Sequence, residues 1–136
     1  MKVELKRLKP PFNFEAFNEN GQTIKIDGAP DIGGHNNGFR PMELLVSGLG
    51  GCAAIDVVLI LEKQKQRIDD LEIVLNAERR DEIPKIFTKI EVAFLFKGEL
   101  EPHKVQRAID LTMEKYCSVT RILEATCEIT TSFKIN

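Results

Sequence analysis

Residues 41–65 form a long apolar segment that contains glycines, and this segment constrains the fold more than any other part of the sequence. Pro41 suits the first turn of a helix, where the missing N–H has no partner to lose, and polar residues close the segment near Lys65. The spacing therefore predicts one helix over 41–65. One stripe at helical spacing carries Leu45, Leu49, Cys52, Ile55, Asp56 and Leu59.

Three glycines, at positions 48, 50 and 51, lie inside this helix. Each costs about 1 kcal/mol of helix stability relative to alanine. Close approach of another backbone, or space kept beside the Cys52 thiol, would offset that cost. A helix that is apolar around much of its circumference also needs more covering than a chain of 136 residues supplies. We therefore expect an obligate dimer that buries more than about 2,000 Å².

The composition narrows the class of protein. Hydrophobic residues make up 43% and charged residues 29%, which is a globular mixture and excludes disorder as the main state. The net charge of −2 lacks the basic excess of a nucleic-acid binder. No apolar run is expected to approach the roughly 20 residues that span a bilayer, and residues 1–7 lack a signal-peptide core. We expect one cytoplasmic domain over 1–136, with no nucleic-acid or membrane partner.

Alternating apolar and polar residues predict six strands. These strands cover 2–8, 12–16, 23–27, 71–80, 87–97 and 127–135. Asn20-Gly21 indicates a hairpin turn, and the composition of 28–40 indicates a loop. A second helix is predicted over 102–116, and a short third helix runs from an N-cap at Ser118 through Ala125. The side chains expected to face inward from the second helix are Val105, Ala108, Ile109 and Met113. The order is βββ–α–ββ–α–α–β.

Three cysteines lie far apart in sequence, at positions 52, 117 and 127. Their odd number and the lack of a CxxC pair argue against a structural disulfide framework or a zinc ribbon. Buried thiols, or a redox pair brought together by the fold, remain as alternatives. His35 and His103 share no ligand spacing, so we predict no metal site.

Each cysteine has a functional and a structural interpretation. Cys52 is flanked by small residues that leave its sulfur unscreened, but free cysteines are often small core residues. Cys117 lies at a helix junction, where a helix dipole favours a thiolate, and a buried thiol is again the alternative. Cys127 falls within a predicted strand and is interpreted as core.

Charged residues near the first helix offer further candidates. Arg40 would stabilise a thiolate or a developing oxyanion, with Glu43 orienting it. The alternative is that Glu43 only caps the helix, because its negative charge interacts favourably with the positive end of the helix dipole. Asp56 lies four residues after Cys52 on the same face, where a carboxylate disfavours a thiolate unless a cation compensates it.

Two motifs around the cysteines make the sequence similar to a known family. The first cysteine motif comprises Arg40-Pro41-Met42-Glu43-Leu44-Leu45 and Gly50-Gly51-Cys52-Ala53-Ala54-Ile55-Asp56-Val57-Val58. The second cysteine motif is Glu114-Lys115-Tyr116-Cys117-Ser118-Val119. Further matches lie at 78–80, Pro84, 87–88 and 108–111. Together they resemble the OsmC/Ohr family (osmotically inducible protein C and organic hydroperoxide resistance proteins), and most closely its YhfA-like branch. The resemblance spans nearly the whole chain.

The resemblance implies an α+β fold in which two chains interlock into a homodimer. Two central helices would pack on antiparallel sheets, with the active sites at the subunit interface. It also implies a thiol-dependent peroxidase that reduces organic hydroperoxides in oxidative stress defence and needs no cofactor. Cys52 matches the peroxidatic position and Cys117 the resolving one, and their disulfide would be reopened by a dithiol reductant, of the lipoyl type or a small thiol.

The sequence differs from the family pattern at two charged positions. Peroxidases of the family carry an Arg in the first hairpin and a Glu ten residues before the reactive cysteine. Here Glu43 lies nine residues before Cys52, and Arg40 is the nearest substitute for the hairpin Arg. The alternative function is a non-enzymatic domain of the same family that binds a small ligand or senses redox state.

Overall fold

The computed structural model describes the whole chain, Met1–Asn136, as two compact units, residues 1–45 and 46–136. The predicted order βββ–α–ββ–α–α–β is confirmed, and the fold class is mixed α+β with two three-stranded sheets. Additional short turns of 3₁₀ and π helix interrupt this order at Pro30–Ile32 and Thr112–Tyr116. That residues 1–136 form one domain stays a prediction.

The first unit contains an antiparallel sheet with strand order β1-β2-β3. Its strands are β1 (Val3–Lys9), β2 (Asn13–Asn18) and β3 (Thr23–Ile26). Every residue of β1 is exposed, and no apolar side chain of this unit is buried. The sheet therefore has no hydrophobic core of its own within residues 1–45.

A buried carboxylate organises the loop after β3. Asp27 is 1% exposed, and its two oxygens accept hydrogen bonds from the backbone N–H groups of Gly28, His35 and Asn37 at 2.7, 3.2 and 3.1 Å. Burial by itself raises the pKa of the Asp27 carboxyl. The three N–H donors, helped by the charge of His35, outweigh burial and hold that pKa below its usual value. The loop therefore folds around an ionised Asp27.

Helix α1 (Pro41–Lys63) ends two residues earlier than predicted. Its buried residues in this chain are Leu49, Gly50, Ala53, Val57 and Leu61. Of the stripe at helical spacing, Leu49 is buried in this chain, whereas the side chains of Leu45, Ile55 and Leu59 are exposed. Periodicity could not choose the buried side, because apolar side chains surround the helix.

The apolar character of α1 also contradicts one sequence expectation. This helix is long and apolar enough to cross a membrane by length and composition, with a mean hydropathy of 2.3 over a window of which 28% is buried. The expectation that no segment reaches this length was wrong, because Glu43 and Lys63 leave a nearly uncharged stretch between them. A helix that is apolar all round is equally typical of a protein core.

The three helix glycines have different surroundings. A Cβ added at Gly50 would lie 2.8 Å from Leu75 Cδ1, so α1 approaches the side chains of β4 (Arg67–Arg79) closely at this point. A Cβ at Gly48 or Gly51 would meet nothing within 4 Å in this chain. The predicted close approach is therefore found at Gly50, and it is made by a side chain rather than by another backbone.

The second sheet has the order β4-β5-β6 and carries the core. Strands β4 and β5 (Phe87–Glu99) form a long antiparallel hairpin, with Ile73 opposite Phe94. Strand β6 (Glu128–Ile135) pairs with β5 in parallel, so the prediction of purely antiparallel sheets is wrong here, because a helical crossover separates β5 from β6. The fully buried face of β5 consists of Ile90, Val92, Phe94 and Phe96.

The predicted second helix is α2 (Pro102–Leu111) followed by the π turn, and α3 (Ser118–Leu123) comes next. Val105, Ala108 and Ile109 are buried as predicted, and Met113 is half-buried. The N-cap of α3 is Cys117 rather than the predicted Ser118. The sulfur of Cys117 accepts the third N–H of the helix, so Ser118 becomes its first residue.

Candidate active site

Two thiols and a carboxylate meet in the second unit. The Cys52 and Cys117 sulfurs and a carboxylate oxygen of Asp56 all lie within 4.8 Å of one another. Cys52 and Asp56 share one face of α1 because residues four apart are neighbours on a helix. Cys52 and Asp56 are half-buried and Cys117 is buried. The fold therefore brings together Cys52 and Cys117, which are 65 residues apart in the sequence.

The π turn and the start of α3 position Cys117. The Cys117 N–H donates to the Thr112 carbonyl at 2.8 Å, five residues back, which closes the π turn. The Thr120 N–H donates to the Cys117 sulfur at 3.4 Å. Burial is the main cause of the raised pKa of the Cys117 thiol, and the neighbouring Cys52 sulfur raises this pKa further. Hydrogen bonds from Thr120 lower the pKa but do not outweigh burial. Cys117 is therefore a thiol at neutral pH.

Cys127 lies outside this cluster. It is buried immediately before β6, as its interpretation as a core residue predicts. Burial, assisted by the negative charge of Glu128, raises the pKa of the Cys127 thiol. This thiol is the natural internal control for the other two.

Arg40 and Glu43 belong to the first unit. The Glu43 carboxylate accepts a hydrogen bond from the Arg40 backbone N–H at 2.8 Å, so Glu43 caps the start of α1. The Arg40 guanidinium donates to Asn36 Oδ1 at 2.8 Å. The capping interpretation of Glu43 is thus confirmed, and the proposed roles of both residues toward the thiols stay predictions.

A cavity of about 320 Å³ adjoins the carboxylate of Asp56. Its lining residues are Asp56, Leu59, Ile60, Lys63, Gln64, Leu111 and Tyr116. Gln64 Oε1 is buried without a hydrogen-bond partner. Sequence reasoning missed Lys63, Gln64 and Tyr116. The signal for the first two was their spacing of seven and eight residues from Asp56, which puts all three on one helical face.

Comparison with known proteins gives matches over most of the chain. The OsmC-like protein family model matches residues 34–132. Protein YhfA of Escherichia coli K12 is 43% identical over 119 residues, covering 85% of this chain and 84% of YhfA. The crystal structure of a hypothetical protein from Aquifex aeolicus is 32% identical, with a TM-score of 0.86 over 99% of this chain and 95% of that one.

A more distant structure shares the fold alone. The organic hydroperoxide resistance protein OsmC from Legionella pneumophila has a TM-score of 0.71 at 15% identity, over 98% of this chain and 97% of that one. The family match covers both the Arg40-Glu43 segment and the Cys52 and Cys117 motifs. By sequence and by fold, this chain belongs to the OsmC-like protein family.

Proposed function

We propose that this protein is a thiol-dependent peroxidase that reduces organic hydroperoxides, with Cys52 as the attacking residue and Cys117 as the resolving one. The observation that carries the proposal is the approach of the two sulfurs to within 4.8 Å. The match to the OsmC-like family and the fold shared with an organic hydroperoxide resistance protein support it.

The proposed chemistry has three steps. The Cys52 thiolate attacks the terminal peroxide oxygen, the O–O bond breaks, and Cys52 sulfenic acid forms while the alkoxide leaves and takes a proton as the alcohol. The Cys117 thiol then attacks the sulfenic sulfur, which forms the disulfide and releases water. A dithiol reductant reopens the disulfide by exchange and is itself oxidised.

The two cysteines suit different steps. Cys52 is half-buried and therefore open to a peroxide, whereas Cys117 is buried. Because burial keeps Cys117 protonated, it does not compete with Cys52 for the peroxide and reacts only with the adjacent sulfenic acid. Arg40 would stabilise the departing alkoxide or the thiolate, and Glu43 would hold Arg40 at the start of α1.

The proposed assembly is a homodimer. The second unit leaves Ile55 64% exposed and Leu59 49% exposed on α1, and both line an apolar hollow with Ala54, Val58 and Leu71. The first unit buries no apolar side chain. A second copy of the chain would cover such surfaces, as obligate interfaces do.

Counting free thiols tests the peroxidase. One equivalent of cumene hydroperoxide added to the reduced protein should consume two of the three thiols in each chain. Cys52→Ser should abolish this rapid loss, and Cys117→Ser should leave a sulfenic acid that dimedone traps. Cys127→Ser is the matched control and should consume peroxide at the parent rate.

Two results would redirect the assignment. Thiol loss no faster than the spontaneous reaction would favour a ligand-binding domain with inert thiols. Rapid disulfide formation without turnover upon adding a dithiol would favour a redox sensor.

A further inference from the structure

Asp56 has no part in the proposed peroxidase chemistry, yet its carboxylate lies beside both thiols. It makes no hydrogen bond and no ion pair within the chain, although Lys63 lines the same cavity. The carboxylate therefore lies next to two sulfurs with its oxygens available to a ligand.

The three atoms match the ligand pattern of a metal site. In a tetrahedral zinc site with Zn–S bonds near 2.3 Å, two sulfurs lie about 3.8 Å apart. The three ligand atoms here are all within 4.8 Å of one another. Side-chain rotations of Cys52 and Asp56, both half-buried, would close the remaining difference. Helical spacing of four residues presents their ligand atoms to the same point.

Charge also favours a cation at this cluster. When a metal displaces the two thiol protons, the two thiolates and the Asp56 carboxylate place three negative charges within 4.8 Å, and no cationic side chain pairs with Asp56. A divalent cation compensates two of the three charges. The Thr120 N–H, which donates to the Cys117 sulfur at 3.4 Å, would supply an outer hydrogen bond that orients this ligand.

The surroundings leave room for ion access and a water ligand. The cavity of about 320 Å³ is lined by Asp56, so the carboxylate side of the cluster is open. Three protein ligands and one open position make up the arrangement of zinc sites that keep a water. Two thiolates select a thiophilic metal over magnesium or calcium.

We infer that the reduced protein binds one thiophilic divalent cation, of the Zn²⁺ type, through the sulfurs of Cys52 and Cys117 and the carboxylate of Asp56. All three ligands come from the second unit of a single chain. The site goes beyond the proposed peroxidase function and does not depend on it. Bound metal would occupy both sulfurs and so block disulfide formation.

Cobalt is the probe for this site, because thiolate ligands give Co²⁺ an intense charge-transfer band. Reduced, chelator-treated protein is titrated with Co²⁺ without oxygen, and Zn²⁺ is then added to displace it. We expect one Co²⁺ per chain. Asp56→Asn keeps both thiols and should weaken binding at least about tenfold, since even outer-shell changes cost that much. Glu62→Gln, an exposed acid on the same helix, is the matched control and should bind like the parent.

The cysteine variants complete the test. Cys52→Ser and Cys117→Ser should each lose the two-thiolate band, and Cys127→Ser should keep it. Circular dichroism checks that each variant is folded. The inference is overturned if the folded parent shows no thiolate band, if Asp56→Asn binds as tightly as Glu62→Gln, or if half an equivalent saturates the chain.

Peroxide consumption is measured separately in the presence of chelator. Activity without metal binding would refute this site alone, and metal binding without activity would refute the peroxidase alone.

Discussion

Replacing Ile55 by lysine tests whether the exposed side of α1 is the dimer interface. Burying a whole isoleucine side chain contributes about 1.5–3 kcal/mol. Because 64% of Ile55 is exposed in the single chain, covering it would contribute about 1–2 kcal/mol per copy. A two-fold dimer contains this contact twice, so Ile55→Lys should weaken dimerisation by about 2–4 kcal/mol.

That free energy corresponds to a dissociation constant raised by about 30- to 1,000-fold. Lysine is a good helix former, so the variant should keep α1 intact. Sedimentation velocity over a concentration series measures the change directly, and circular dichroism confirms that the variant is folded.

Ile83→Lys provides the matched control, because Ile83 is 89% exposed in the turn between β4 and β5. It should sediment like the parent. A folded parent that is monomeric at micromolar concentration, or an Ile55→Lys protein that dimerises as tightly as Ile83→Lys, would refute the reasoning.

Three further predictions concern single side chains. Gly50→Ala would place its Cβ 2.8 Å from Leu75 Cδ1, the end of a half-buried flexible side chain that can rotate away. The gain of about 1 kcal/mol in helix propensity should therefore dominate, and chemical denaturation should show a more stable protein; net destabilisation would contradict this reasoning. Asp27→Asn should lower stability at pH 7. Folding lowers the pKa of Asp27, so the ionised carboxylate stabilises the parent fully at any pH above the usual carboxyl pKa. The difference in unfolding free energy between parent and variant should disappear as the pH falls through the pKa of Asp27 in the folded protein. A difference that persists in acid would contradict this. Arg40→Met should slow thiol loss to peroxide at neutral pH, with partial recovery at higher pH, and a pH–rate profile identical to the parent's would remove Arg40 from the site.

Much of the fold could be predicted because its elements carry strong local signals. The alternation of β5 between Phe87 and Phe96 identifies its buried face, and Asn20-Gly21 indicates the turn between β2 and β3. The inward side of α1 could not be predicted, since nearly every face of that helix is apolar. The parallel direction of β6 also could not be predicted, because tertiary contacts rather than the strand's own sequence determine which strand it pairs with.

The candidate site was predictable in part. Cys52 and Cys117 were identified from motifs, and their approach to within 4.8 Å agrees with a redox pair. The sequence predicted no metal site, because the three residues of the proposed site do not fall in one short motif: Cys52 and Asp56 lie a helical turn apart and Cys117 is distant in sequence. The cavity residues beyond Asp56 carry no chemical signature, and only the folded chain brings Tyr116 to the helix that holds Lys63.

The π turn before Cys117 determines which part of the backbone would move if Cys52 and Cys117 formed a disulfide. The two sulfurs would have to close to about 2.05 Å, so one side of the pair must move. Cys52 lies in the middle of a 23-residue α-helix, whereas Cys117 follows a single wide turn whose closing hydrogen bond runs from its own N–H to Thr112. The wide turn is the more compliant of the two supports. Oxidation would therefore stretch that hydrogen bond first, and the amide of Cys117 would exchange its hydrogen faster while the amides of α1 kept their protection.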